Sequence, residues 1–181
     1  MIISLIGYRG CGKTSLAPLL AASRGWSWID ADRELERQQG RSIADIFASE
    51  GEPEFRRLEA DLLRELCHQE NLVLATGGGA ILNSDTREKL RASGPVIWLQ
   101  ADASTIEQRL GEDQSTCRSR PALTNLGWRE EIERVLAERL PLYQQTCHIR
   151  IDTAGKTLVE VAEQTEAALR ELSKQPGSSQ A

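Results

Sequence analysis

Gly7-Tyr8-Arg9-Gly10-Cys11-Gly12-Lys13-Thr14 fits the pattern G-x-x-x-x-G-K-[ST], a spacing whose chemistry is phosphate binding. Glycines let successive backbone N–H groups curl around phosphate oxygens without a Cβ in the way. A helix starting at the end of the motif adds the partial positive charge of its N-terminus. Lys13 has the length to reach terminal phosphates, and the Thr14 hydroxyl is a hard oxygen donor suited to Mg²⁺.

Two carboxylates and a glycine run supply further chemistry. Asp30 and Asp32 follow an apolar run, Trp26 to Ile29. Phosphate-loop proteins place a magnesium-linked Asp at the end of a core strand. The run Leu72 to Ala75 continues into Thr76-Gly77 with no carboxylate, so the metal role falls to Asp30, directly or through water. Asp32 lies two residues further on, and one of the pair is free to orient a substrate hydroxyl and accept its proton. The competing reading makes both of them helix-start carboxylates. Gly77-Gly78-Gly79 either permits close ligand approach with free N–H donors or is a plain turn. Arg56, Arg57 and Arg139 lie in helical patterns, where an arginine ordinarily serves a solvated face.

The elements that must position these residues alternate. Strands are expected at Ile2–Ile6, Trp26–Ile29, Leu72–Ala75, Val96–Leu99 and Ile149–Ile151. Helices are expected at Ser15–Arg24, with a bend at Pro18, and at Arg33–Gln39. Ser42 caps a brief helix through Phe47, and Gly51 separates it from Pro53–Gln69. Further helices span Ser84–Ala92, Ser104–Leu110 with Ser104 as cap, Trp128–Leu140 interrupted at Pro141, and Thr157–Leu172. The polar stretch from Gly111 to Gly127 has no periodicity and reads as a functional loop. Alternating strands and helices predict an α/β fold, a five-stranded parallel sheet covered on both faces. Ligands in such sheets sit beyond the carboxyl ends of the strands. That rule gathers the glycine loop, Asp30, Asp32 and Gly77 to Gly79 into one place.

Composition narrows the classes. A chain of 181 residues with 40% hydrophobic and 27% charged content suits one globular domain. A net charge of −5 disfavours nucleic acid as a partner. No run approaches the length of a membrane span. With a strand expected from Ile2, no signal peptide is expected. The four cysteines lack C-x-x-C spacing, and a reduced, cytoplasmic setting follows. Cys67-His68 and Cys147-His148 read as bystanders, having no ligand spacing around them.

The chain resembles the shikimate kinase family along nearly its whole length. The carrying pieces are the phosphate loop, Ile29-Asp30-Ala31-Asp32, Gly40-Arg41-Ser42-Ile43-Ala44-Asp45-Ile46-Phe47 and Glu54-Phe55-Arg56-Arg57-Leu58-Glu59. Thr76-Gly77-Gly78-Gly79-Ala80, Arg120-Pro121 and Arg139-Leu140-Pro141-Leu142-Tyr143 complete the set. The resemblance implies a P-loop NTPase-type three-layer αβα fold over residues 1–172, with a substrate-binding region at about 32–60. It implies a mobile lid at about 111–127, with 173–181 left as a polar tail. It implies transfer of the ATP γ-phosphoryl group to the 3-hydroxyl of shikimate, in aromatic amino-acid biosynthesis, by a monomer using Mg²⁺. ATP would be held by Gly10, Cys11, Gly12, Lys13, Thr14, Ser15 and Arg120, and the metal by Thr14 and Asp30. Lys13, Asp32 and Arg120 would carry catalysis. Asp32, Arg56, Gly78 and Arg139 would bind shikimate, the two arginines clamping its carboxylate. Arg120 rather than Arg118 is chosen because Pro121 follows it. Thr153-Ala154-Gly155-Lys156 is a candidate for adenine contacts.

Three rival readings are distinguishable. A related kinase for another polyol acid, such as gluconate, would not need the paired arginines with the triple glycine. A non-catalytic binding protein would have lost Lys13, Thr14 or Asp32, all of which are present. A nucleotide switch acting on proteins would lack a small-molecule clamp.

Overall fold

The computed structural model describes residues 1–112 and 128–174. Strands β1 (Ile2–Ile6), β2 (Ser27–Asp30), β3 (Leu72–Ala75), β4 (Val96–Gln100) and β5 (Ile149–Asp152) form a sheet in the order β2-β3-β1-β4-β5. All neighbouring pairs are parallel, with Ile3 opposite Val73, Leu5 opposite Ile97, Ile29 opposite Leu74 and Leu99 opposite Ile151. The three central strands, β1, β3 and β4, are buried apolar runs because both faces are covered, whereas the edge strands β2 and β5 are partly exposed. Ile2, Ile6, Leu72, Leu74, Val96 and Trp98 face one core, whereas Ile3, Leu5, Val73, Ile97 and Leu99 face the other. This is the strict alternation that a pleated strand imposes.

The first core is closed by helices α2 (Ala31–Gln39), α3 (Ile43–Leu66), α4 (Ser84–Ser93) and α6 (Trp128–Thr146). The second is closed by α1 (Lys13–Arg24) and α7 (Leu158–Lys174), through Leu16, Leu20, Val161 and Leu169. Helix α5 (Ala103–Glu112) packs on α6 over a smaller cluster of Tyr8, Ile106, Leu110, Ile132 and Val135. The result is the expected three-layer α/β fold.

Several boundaries differ from expectation. Helix α1 is continuous through Pro18, although the missing N–H withdraws one bond from the Thr14 carbonyl. The break expected at Gly51 is present as a kink in α3 (φ 81°, ψ 177°), which separates the segment capped by Ser42 and Asp45 from the longer one. Helix α6 likewise runs through Pro141 to Thr146, where packing of Tyr143 in the core outweighs one lost hydrogen bond. Asp102, not Ser104, caps α5, its carboxylate accepting from Thr105 N–H at 2.7 Å. Gly111 and Glu112 belong to α5, and Ser173 and Lys174 to α7. The remainder of the expected lid, including Arg118 and Arg120, and the tail beyond Lys174 lie outside the described residues.

His148 serves the sheet, because its Nδ1 accepts the Val96 N–H at 3.0 Å where β4 begins. Burial and then the nearby Arg91 charge hold its pKa below the ordinary value of 6.5. The neutral ring is therefore the folded-state form. Its stabilisation is complete above pH ~6.5 and is lost as pH falls through the lower folded value. His148→Asn retains an acceptor without the titration. Its melting temperature is expected to fall less than that of wild type between pH 7 and 5, and equal slopes would reject the assignment.

Candidate active site

Strand order reverses at β1, so the loop leaving β1 opens at the switch point of the sheet. Gly7 there has φ 140°, and a Cβ on it would overlap the Leu99 carbonyl and approach Cys11 Sγ to 2.7 Å. Gly12, with φ 97°, is the N-cap of α1, and no side chain caps that helix. The leading N–H groups of α1 are thus presented to an incoming anion. Lys13 is buried, and its ammonium donates to the Gly7 carbonyl at 2.8 Å, the Tyr8 carbonyl at 2.9 Å and Cys11 Sγ at 3.7 Å. Phosphate oxygens can replace these acceptors without further desolvation of the charge.

Asp30 is the helix-start carboxylate of α2, and its second oxygen faces the phosphate loop. Its Oδ1 caps α2, accepting from Asp32 N–H at 3.0 Å and Arg33 N–H at 3.2 Å. Its Oδ2 accepts the Thr14 hydroxyl at 2.6 Å. Two hard oxygens therefore stand side by side at the mouth of the phosphate loop, a donor set that fits Mg²⁺.

The Gly77-Gly78-Gly79 turn is where the remaining candidates meet. A Cβ on Gly77 would lie 2.5 Å from Glu59 Oε1 and 2.8 Å from Asp32 Oδ1. One on Gly79 would overlap the guanidinium of Arg56. Gly78 faces the phosphate loop, its missing Cβ 3.3 Å from Arg9 N. Its carbonyl accepts from Arg139 Nη1 at 3.1 Å and from the Tyr143 hydroxyl at 2.7 Å. The triple glycine thus leaves room for close approach by the Glu59, Asp32 and Arg56 side chains and by the phosphate-loop backbone.

Arg56 and Arg57 divide as their neighbours dictate. The Arg57 side chain is 59% exposed and pairs with Glu54 and Asp61 on its own helix, the solvated face expected of a helical arginine. Arg56 turns inward at 22% exposure and pairs with buried Glu59 at 2.7 Å and with Glu52 at 3.1 Å. Burial works against its charge, but Glu59 and Glu52 outweigh it, so the pKa stays above the ordinary arginine value.

A cavity of about 940 Å³ joins these pieces, lined by Gly10 to Ser15, Asp30, Asp32 and Gly78. Arg56 and Arg139, expected to bind substrate, are not among its lining residues; Arg56 approaches Gly79, and Arg139 donates to the carbonyl of Gly78, which does line it. The cavity extends to Arg109, Thr153, Lys156 and Leu158. Arg109 donates to the Thr153 carbonyl at 2.7 Å, to its hydroxyl at 2.9 Å and to the Gly10 carbonyl at 3.4 Å. It thereby ties α5 to the phosphate loop and to the loop before α7. The candidate adenine loop at 153–156 is therefore contiguous with the phosphate site, and Leu158 at the start of α7 faces the same cavity. Glu59, Arg109 and Tyr143 went unassigned at the level of sequence. Only the motif around Glu59 and Tyr143 offered a signal for them. Arg109 has the ordinary look of a basic residue in a last helical turn.

Gly79→Ala tests the close approach. The clash falls on the end of a flexible side chain, so the fold is expected to survive with Arg56 displaced. The Michaelis constant for an acid substrate should rise roughly three- to tenfold, as for a lost hydrogen bond, with nucleotide binding unchanged. An unaltered constant would remove Arg56 from the site.

The shikimate kinase family model matches residues 9–170. The chain is 41% identical over 171 residues to a shikimate kinase of Symbiobacterium thermophilum, covering 94% of this chain and 97% of the relative. It is 40% identical over 157 residues to one of Rhodopirellula baltica, covering 87% and 84%. The fold superposes on the Acinetobacter baumannii shikimate kinase solved in complex with shikimate, with a TM-score of 0.89, 33% identity and coverage of 96% and 95%. Sequence and fold agree in these similarities, and the chain belongs to the shikimate kinase family.

Proposed function

We propose that the protein transfers the γ-phosphoryl group of ATP to the 3-hydroxyl of shikimate, giving shikimate 3-phosphate and ADP. The observation that carries this is the convergence of Asp32, Arg56 and Arg139 on the Gly77–Gly79 turn, directly beside the phosphate loop. Two guanidinium groups on one turn suit a carboxylate, which planar forks bind bidentately. A carboxylate between them and the phosphates suits a hydroxyl.

In this reading Gly10 to Ser15 cradle the phosphates, and Lys13 exchanges the Gly7 and Tyr8 carbonyls for β- and γ-oxygens. Thr14 and Asp30 would hold Mg²⁺, which neutralises phosphate charge when bound. Arg56, Arg139 and the Gly78 N–H fix the acid, and Asp32 accepts the hydroxyl proton as its oxygen bonds to phosphorus and the bond to ADP breaks. Arg120 would add positive charge at the phosphates and help exclude water. Arg109 and the loop at 153–156 would flank the base. The working unit is one kinase domain over residues 1–172, a monomer acting in the cytoplasm without nucleic acid or membrane. The described helices include none long and apolar enough to cross a membrane.

The test is ADP release measured with shikimate, with gluconate and with no acceptor. Release that depends on shikimate supports the reading. Release driven equally by gluconate, or by neither acid, would contradict it.

A further inference from the structure

Tyr143 is the largest fully buried side chain whose polar atom points at the site. Its ring stacks on Trp98 of β4, with centroids 5.5 Å apart and planes 11° from parallel. Its hydroxyl donates to the Gly78 carbonyl at 2.7 Å, sharing that oxygen with Arg139 Nη1 at 3.1 Å. Burial pushes the phenol well above its ordinary pKa, so it remains an O–H donor at any working pH.

We propose that Tyr143 is a positioning residue for the acid substrate, acting through Gly78 on Arg139; this rests on Arg139 being part of the carboxylate clamp. A carbonyl has two lone pairs. Tyr143 occupies one, which fixes the plane of the Gly78–Gly79 peptide within a turn that has no side chains of its own to hold it. The second lone pair then meets Arg139 in a set direction. Nη1 is committed to the carbonyl and the guanidinium also lies against the Tyr143 hydroxyl. The hydroxyl therefore holds Arg139 both through the shared oxygen and directly, and the remaining N–H groups would form the fork. Tyr143 and Arg139 are one helical turn apart on α6, so the same helix supplies the arginine and the group that aligns it. Without the hydroxyl, a buried carbonyl depends on Arg139 alone. Binding of a carboxylate then competes with satisfying that carbonyl.

The test is Tyr143→Phe, which keeps the ring and its stack on Trp98. The KM for shikimate is expected to rise roughly three- to tenfold, as for one buried hydrogen bond, while kcat and the KM for ATP stay within about twofold. A role confined to packing would not produce that split. In the Arg139→Lys background, Tyr143→Phe should add little further loss, because the group it aligns is gone. Trp98→Phe serves as the packing control: it is expected to lower the melting temperature while leaving the KM for shikimate in place. An unchanged KM for shikimate in Tyr143→Phe, an equal rise in both KM values, or full additivity with Arg139→Lys would each overturn the proposal. Loss of shikimate binding in Trp98→Phe equal to that in Tyr143→Phe would reduce Tyr143 to packing. Arg139→Lys without effect on shikimate would instead remove the clamp on which the proposal stands.

Discussion

Asp32→Asn is expected to lower phosphoryl transfer by roughly 10²–10⁴, the range for losing a positioned acid–base group. The substitution keeps the size and most of the hydrogen bonding of Asp32 beside Gly77, and removes only the proton acceptor and the charge. A loose, metaphosphate-like transition state demands less of a base, which favours the lower part of that range. Nucleotide binding should survive, because Lys13, Thr14 and Asp30 are untouched. Asp30→Asn should behave differently. Its Oδ2 accepts the Thr14 hydroxyl at 2.6 Å, so the expected defect is a weaker response to Mg²⁺ and weaker MgATP binding. Its Oδ1 also caps α2, and an Asn keeps that function. Titrating Mg²⁺ and shikimate against both folded variants separates the roles. A Mg²⁺ defect in Asp32→Asn, with lost turnover at saturating metal in Asp30→Asn, would reverse the assignment.

The second large effect belongs to Arg139. Arg139→Lys keeps the charge but loses the planar fork that can hold the Gly78 carbonyl and a carboxylate together. Charge-assisted hydrogen bonds contribute about 1.5–3 kcal/mol. The kcat/KM for shikimate should therefore fall on the order of ten- to a hundredfold. The affinity for ATP should hold, since Arg139 does not line the phosphate loop. Equal loss for both substrates would place Arg139 in nucleotide binding or in folding.

The sheet and the phosphate loop were legible because local sequence determines them. Apolar runs such as Ile2–Ile6 and Leu72–Ala75 can only be buried strands, and G-x-x-x-x-G-K-T after such a run leaves few alternatives. Helix ends were less legible. Pro141 read as a break, yet its helix continues, because tertiary packing of Tyr143 outweighs a single missing hydrogen bond. The candidate site was legible where glycines cluster, at Gly77 to Gly79, whose missing side chains leave room for Asp32, Arg56 and Glu59. It was illegible where contacts join distant segments. Nothing in the surroundings of Arg109 signals that it reaches Thr153 and Gly10. Spacing alone does not distinguish inward-facing Arg56 from outward-facing Arg57. That difference arises only when α3 is laid against the glycine turn and Glu59 is buried beside it. Asp30 shows that the two readings weighed for it were never exclusive, because a carboxylate has two oxygens and here each has its own partner.

The acceptor is expected to be the 3-hydroxyl of shikimate. Phosphorus NMR of the products formed from ATP, Mg²⁺ and shikimate tests it most directly. The expected spectrum shows ADP and one new phosphomonoester, its phosphorus coupled to the proton on C3 of the ring, in amounts equal to the ATP consumed. Inorganic phosphate in place of the ester, or an ester coupled to a different ring proton, would contradict it.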